Sequence, residues 1–255
     1  MSEGGAAGAR LLEGKRAIVT GGSRGLGRAI ALALAEAGAR VALTFAKNEA
    51  AAEEARARAA ELSGGEARAY KVSVLDRRGS EAMVKELEGA WGGVDVLVNN
   101  AGVSQNLPLA LIEEEDFERV MDVNVKGTFL MSKAVLRGMI RRKAGVILNI
   151  GSLAGVRMME APIHYSTSKA AIVGLTRAMA KEVARHNVRV VSLAPGLLDD
   201  GMGKNLPDHR LADYLKHCSL GRLGTLEEAA RVAVFLVSER NTYMSGETVV
   251  LDGGV

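Results

Sequence analysis

The chain has 255 residues, 48% apolar and 25% charged, a balance that excludes disordered and fibrous classes and suits one large α/β domain. Its net charge of +3 comes without a long Lys/Arg block, and aromatics are only 4%, so neither a nucleic-acid tail nor a base-stacking platform is on offer. Cys218 is the only cysteine, which excludes an intrachain disulfide, and no run approaches the ~18 consecutive apolar residues of a membrane span.

Residues 1–13 read as a flexible arm. The arm has no basic segment followed by an apolar run, so it does not read as a signal peptide and cytoplasmic residence is expected. Residues 14–255 then read as a single domain in which short apolar runs alternate with longer segments of helical period. The runs Ala17–Thr20, Arg40–Phe45, Ala69–Val74, Val94–Asn99, Gly145–Ile150, Val188–Leu193 and Thr248–Leu251 read as seven strands. They are rich in Val, Ile and Leu and seldom alternate with polar residues, as expected of a parallel sheet covered on both faces. Helices are predicted over Leu26–Ala37, Glu49–Leu62, Ser80–Trp91, Phe117–Arg142, Tyr165–His186 and Leu226–Ser238. The alternation implies right-handed crossovers and a Rossmann-type doubly wound sheet of about seven mostly parallel strands with helices on both faces. Leu197–Leu223 is the irregular stretch, following a strand, where ligand-covering loops of such sheets lie.

The first strand runs into Thr20-Gly21-Gly22-Ser23-Arg24-Gly25-Leu26-Gly27. Gly21 permits a tight turn, Gly25 lets the backbone approach a pyrophosphate, and Gly27 lets the helix pack close to the strand. The helix N-terminus then offers N–H groups and a positive dipole end to phosphates.

The spacing TGxxxGxG resembles the short-chain dehydrogenase/reductase family, and the resemblance runs from Gly14 to Gly254. Asn99-Asn100-Ala101-Gly102 is similar to its NNAG motif, Asn124 stands where it has a helix asparagine, and Ser152 follows the fifth strand. Tyr165-Ser166-Thr167-Ser168-Lys169 matches its YxxxK motif and Pro195-Gly196 its PG turn. The resemblance implies cofactor contacts from Gly21, Ser23, Arg24, Gly25, Leu26, Gly27, Asn100, Ala101, Gly102, Tyr165, Lys169, Pro195, Gly196 and Leu198. Ser73 and Val74 stand where the family often has an Asp-Val pair for the adenine. Asp200 replaces a threonine that binds the carboxamide, a bond an ionised carboxylate cannot donate.

An acid near the end of the second strand would bind a ribose 2′-hydroxyl, but this stretch reads Thr44-Phe45-Ala46-Lys47-Asn48. Lys47 and Arg24 instead suit a 2′-phosphate, which points to NADP(H). Tyr165 and Lys169 are four apart on a predicted helix and share a face, so the ammonium is expected to lower the phenol pKa. The family pattern implies hydride transfer to a carbonyl with Tyr165 as general acid and Lys169 on the nicotinamide ribose. It also gives Ser152 the substrate oxygen, Asn124 a relay water, and no metal. His164 reads as a pocket-edge residue.

Within the family the pattern is most similar to 3-oxoacyl-(acyl-carrier-protein) reductases, on Gly151–Gly155, Leu220–Gly224 and Ser245-Gly246-Glu247. That resemblance implies a 3-oxoacyl thioester on carrier protein as substrate and a homotetramer built through the two long helices. Arg141, Arg142, Lys143 and Arg185 are candidates for a basic docking face, or are solvated helix ends. Asp199, Asp200 and Asp208 make the substrate loop acidic, which leaves open a polyketide, sugar, steroid-like or other small ketone, or a cofactor-binding sensor without turnover.

Overall fold

Strands that are apolar at successive positions need cover on both faces, and the fold supplies it. The computed structural model describes residues 10–200 and 208–255. In chain order the elements are β1 (Arg16–Val19), α1 (Gly25–Glu36), β2 (Arg40–Phe45), α2 (Glu49–Ser63), β3 (Ala67–Lys71), α3 (Arg77–Trp91), β4 (Val96–Asn99) and α4 (Glu114–Met121). There follow α5 (Gly127–Arg142), β5 (Gly145–Ile150), α6 (Ile163–Val183), β6 (Val188–Pro195), α7 (Asp208–His217), α8 (Leu226–Val237) and β7 (Thr248–Leu251).

The seven strands form one parallel sheet in the order β3-β2-β1-β4-β5-β6-β7. Successive side chains point to opposite faces. Ala17, Val19, Val96, Val98, Leu148 and Ile150 pack with α1 and α8. Ile18, Leu97 and Ile147 pack with α3 and α5. The strand order reverses between β1 and β4, and ligands of such sheets bind at that switch point, beyond the carboxyl ends of the strands.

Four expectations need correction. The third strand is Ala67–Lys71 and not Ala69–Val74, because β3 is an edge strand whose pairing is set by β2: Val41 faces Ala67, and Phe45, the last residue of β2, faces Lys71. The long helix expected over Phe117–Arg142 starts earlier, at Glu114, where three acids complement the N-terminal dipole, and it passes through a π-helical turn at Asp122–Lys126. The irregular stretch contains the helix α7; residues 201–207 of that stretch lie outside the described residues. Finally, packing begins before Gly14: Leu12 is buried in the core and its N–H donates to Ala37 O at 2.8 Å.

Candidate active site

The phosphate turn is built by close approach. A Cβ on Gly27 would stand 2.3 Å from both Asn100 Nδ2 and Gly21 O, so only glycine lets α1 meet the end of β4 there. Asn100 Nδ2 donates to Thr20 O (3.0 Å) and Gly21 O (3.2 Å), and Thr20 Oγ1 accepts from the N–H groups of Asn100 and Ala101 at 3.0 Å each. The motif after β4 is thereby stitched to the turn after β1, across the switch point. Gly21 and Gly25 have φ of +64° and +52°, values that L side chains rarely adopt. At the N-terminus of α1, Arg24 caps with extended backbone and no side-chain bond, and the first turn holds no acid. A Cβ built on Gly25 meets nothing within 4 Å. Free N–H groups, a positive dipole end and open space above them fit a dinucleotide pyrophosphate. Ser23 and Leu26 lie in the same turn, partly exposed.

Arg24 and Lys47 are exposed, and among the described residues neither forms an ion pair. The first carboxylate after β2, Glu49, sits in the opening turn of α2 and lies 3.8 Å from Lys71. Ser73 is exposed beyond β3 and its Oγ accepts from Leu75 N, whereas Val74 is buried against Gly127. Pro195 ends β6; Gly196 N–H donates to Leu251 O at 2.8 Å, and Leu198 is buried, bridging to Gly224.

Beyond β4 and β5 the second group of residues converges. The π-turn turns Asn124 inward, where it is 2% exposed. Its Oδ1 accepts from Val103 N at 2.8 Å, and its Nδ2 donates to Val103 O at 3.0 Å and to Ser168 Oγ at 2.9 Å. Ser168 Oγ donates to Tyr165 O at 2.7 Å. Tyr165 and Lys169 are both buried on one face of α6, with the ammonium 5.7 Å from the ring centroid. Lys169 Nζ donates to Ile150 O at 2.8 Å, and Ser152 Oγ, two residues further on, accepts from Ala154 N at 3.2 Å. Gly155 allows this crossing, since a Cβ there would lie 2.4 Å from the Lys169 carbonyl carbon.

The electrostatics correct one expectation. Burial pushes the Tyr165 phenol up to about 12, offset in part by a hydrogen bond with Ser152. Burial pushes Lys169 down to about 8. The ammonium that was to acidify the phenol is turned onto a backbone carbonyl, so desolvation wins and the phenol is held protonated. His164 is corrected too: it is fully buried rather than at a pocket edge, with neither ring nitrogen hydrogen-bonded.

A buried polar ladder supports the site and was not assigned from sequence. Asn99 Nδ2 donates to Ser132 Oγ and Asn149 Oδ1, and Asn149 Nδ2 donates to Thr176 Oγ1, each at 2.9 Å. It links α5, β4, β5 and α6. The facing Asn99 and Asn149 of adjacent strands were its one visible signal. Ser168, inside the YxxxK run, carries the Asn124 contact; its position one turn after Tyr165 was the clue. Of the acidic residues of the substrate loop, Asp199 accepts from Leu226 N and so caps α8. The basic cluster stands elsewhere. Arg142 donates to Val94 O and Glu88, and Arg141 pairs with Glu88, at the start of β5, whereas Ser152 follows its end. Arg185 follows the C-terminus of the 21-residue α6, about 30 Å of helix from its first turn, where Tyr165 lies.

A doubly wound parallel sheet, a glycine turn on an uncapped helix and a buried Tyr–Lys pair define a nicotinamide-dependent oxidoreductase. The family profile for short chain dehydrogenases matches residues 15–211. The chain is 39% identical over 244 residues, covering 96% of it and 98% of the relative, to the 3-oxoacyl-(acyl-carrier-protein) reductase FabG of Vibrio cholerae. It also resembles a short chain dehydrogenase from Burkholderia cenocepacia solved with NADP (TM-score 0.88, 32% identity, 95% and 98% of the two chains). An NAD+-bound xylitol dehydrogenase is similarly close (TM-score 0.89, 33% identity, 95% and 99%). The chain belongs to the short-chain dehydrogenase/reductase family. It is an oxidoreductase acting on CH–OH and C=O groups. No helix among the described residues is long and apolar enough to cross a membrane.

Proposed function

We propose that this chain reduces a ketone to a secondary alcohol with NADPH, and that the ketone is a 3-oxoacyl thioester on acyl carrier protein. The observation that carries the reading is the placement of Tyr165 and Lys169, both buried on one face of α6, with the Lys169 ammonium on Ile150 O at the strand end from which Ser152 departs. Reduction needs a proton donor at the substrate oxygen, and the Tyr165 phenol is one at any physiological pH.

Gly21, Ser23, Gly25, Leu26 and Gly27 would hold the pyrophosphate, and Asn100, Ala101, Gly102 and the Pro195–Leu198 turn would flank the nicotinamide half. Held there, a nicotinamide cofactor would supply the hydride for carbonyl reduction. Ser152 holds the carbonyl oxygen, Tyr165 donates the proton that converts the developing alkoxide to alcohol, and the Lys169 ammonium, held on Ile150 O, would bind the ribose hydroxyls of the nicotinamide half. Asn124 fixes the turn of α6 that carries both.

The choice of NADPH rests on Arg24 and Lys47, two exposed cations flanking a β2 end that holds no carboxylate. Relatives with this fold hold NADP in one case and NAD+ in another, so the decision lies with these residues. The thioester is supported by the likeness to the Vibrio cholerae reductase. Association into a homotetramer through α5 and α6 is part of the proposal, and sedimentation showing monomer alone would contradict it.

The test is initial-rate kinetics with NADPH and NADH against an acetoacetyl thioester on carrier protein, on coenzyme A, and against free ketones. Faster turnover of the carrier-bound thioester with NADPH is expected. Turnover of free ketones alone would move the substrate to that class, and NADPH binding without turnover of any carbonyl would overturn the enzymatic reading.

A further inference from the structure

Four adjacent strands carry a polar residue in one register row: Asn99 of β4, Asn149 of β5, Ser192 of β6 and Thr248 of β7. Side chains in register share a face of the sheet and could bond along the row. Only the first step is made, from Asn99 Nδ2 to Asn149 Oδ1 at 2.9 Å. Ser192 Oγ and Thr248 Oγ1 are buried without a hydrogen-bond partner among the described residues. Asn149 Nδ2 leaves the sheet instead and donates to Thr176 Oγ1 of α6 at 2.9 Å. Both residues are fully buried, so bulk water does not compete for this bond.

Thr176 stands seven residues after Lys169, two turns of helix, so the two share a face of α6 about 10 Å apart along its axis. Lys169 Nζ donates to the carbonyl of Ile150, the residue that follows Asn149. Helix α6 is thus bonded to β5 at two points, through consecutive strand residues, and the buried Ile172 lies between those points along the helix. The two bonds differ in stiffness. The ammonium rides on a flexible four-carbon stem and can follow a helix that slides or rolls. The Thr176 hydroxyl sits on a short β-branched side chain with few rotamers, so its bond holds at one helical phase. Tyr165, one turn before Lys169, is carried by the same phase.

We propose that Thr176 and Asn149 are positioning residues for the reduction: their hydrogen bond sets the phase of α6 on β5, and so seats the Lys169 ammonium and the Tyr165 phenol at the end of the strand that leads to Ser152. Both act through Lys169 and Tyr165, not on the reacting atoms.

The proposal rests on the reductase reading, so one readout of its test does not need turnover. Thr176→Val removes the hydroxyl at nearly constant volume, and Thr176→Ser keeps it and loses a methyl. Ile172→Val thins the packing of the same helix and leaves both bonds in place. Steady-state kinetics with NADPH and an acetoacetyl thioester are measured below the melting transition of each variant. The Lys169 ammonium is titrated by NMR on protein with isotope-labelled lysine and no cofactor. Thr176→Val should lower kcat about two- to ten-fold, the scale of one neutral hydrogen bond, with the thioester KM unchanged. Its Lys169 midpoint should fall by roughly 0.3–1 pH unit, because the ammonium loses its seat on Ile150 O while its burial stays. Thr176→Ala also lacks the hydroxyl and should repeat both changes. Thr176→Ser should keep the wild-type midpoint and a kcat within about two-fold. Ile172→Val should do the same despite melting earlier. Equal effects of Thr176→Val and Ile172→Val, or a Thr176→Ser variant as impaired as Thr176→Val, would overturn the positioning role. If the wild-type chain reduces no ketone, the reductase reading fails, and the lysine titration still decides whether the bond between Asn149 and Thr176 seats Lys169.

Discussion

Lys169 and Ile150 are bound directly, side chain to backbone: the ammonium of α6 donates to the last carbonyl of β5 at 2.8 Å. This contact points the lysine at the strand end from which Ser152 departs, and among the described residues it is the hydrogen bond of this buried ammonium. Burial therefore acts on both members of the pair in opposite senses, pushing Lys169 down to about 8 and Tyr165 up to about 12.

The stability consequence has a definite sign. Lys169 is lowered from 10.5 to about 8, so between those values the unfolded chain holds the extra proton and stability rises with pH; below about 8 the buried ammonium is a cost. Tyr165 is raised from 10.0, so its contribution is intact below that value and is lost as pH climbs toward about 12. Lys169→Met should thus be no less stable than wild type at pH 7, by a margin on the order of 1–3 kcal/mol less the lost bond to Ile150, while reduction falls at least ~100-fold. The margin should shrink at about pH 9, as the wild-type lysine becomes neutral. Thermal melts at the two pH values check this, and a lower Tm for the variant at neutral pH would contradict it.

The same shifts set the pH profile of activity. The phenol remains a donor to about 12, whereas the ammonium behind it is lost above about 8. The kcat/KM for ketone reduction should be level through neutrality and then descend with a single limb starting near that lysine value. A limb centred near pH 6 would assign the titration to another group.

Asn124 predicts a different signature, because it acts through Val103 and Ser168. Asn124→Leu removes three hydrogen bonds and leaves Val103 N–H, Val103 O and Ser168 Oγ without this partner. A loss of about 2–4 kcal/mol of stability is expected, with a fall in kcat larger than the change in NADPH affinity. Asn124→Asp should be nearly as costly, since a carboxylate offers Val103 O and Ser168 Oγ no donor of the amide kind. Denaturant titration and cofactor titration separate the two effects; a variant as stable as wild type would remove the asparagine from its positioning role.

Much of this was legible in the sequence because it is local. The strands with apolar residues at successive positions announce two-sided burial, and Gly21, Gly25 and Gly27 announce a turn that needs positive φ or close backbone approach. What was hidden depends on tertiary context. The extra residue of the π-turn that aims Asn124 is lost in the average period of a long helix. The helix α7 is only ten residues long and its apolar positions, Leu211, Tyr214 and Leu215, are no more than half-buried, so its stripe is too short to stand out in the sequence. The bounds of β3 follow from where β2 stops. Spacing placed Lys169 beside Tyr165, but the direction of the phenol shift came from burial, which spacing does not report. His164 was misplaced for the same reason.

Cofactor choice is testable at Arg24. It is exposed at the N-cap of α1 and forms no ion pair among the described residues. Arg24→Ala should raise the KM for NADPH by about 10-fold, the scale of one charge-assisted hydrogen bond, and leave that for NADH unchanged. Lys47→Ala should act in the same direction. Equal losses for both cofactors would mean that these cations do not read the 2′-phosphate.

Two glycines two residues apart should respond differently in stability. At Gly27 an added methyl meets Asn100 Nδ2 and Gly21 O at 2.3 Å, so Gly27→Ala must push α1 away from the β4 end and break the stitching of the switch point. Loss of fold stability and of cofactor binding together is expected there. At Gly25 the added methyl meets nothing of the chain within 4 Å, and the cost is the +52° φ alone. That strain is about 1–2 kcal/mol, which a chain of this size tolerates. The methyl would nevertheless project into the open space over the N-terminus of α1, where phosphate oxygens would accept from the backbone N–H groups. Gly25→Ala should therefore melt within a few degrees of wild type yet bind NADPH at least ~10-fold more weakly, a loss of about one close phosphate contact. Cofactor fluorescence titration beside thermal melts reads both quantities. Wild-type NADPH affinity in Gly25→Ala would mean that the phosphates do not lie on this turn.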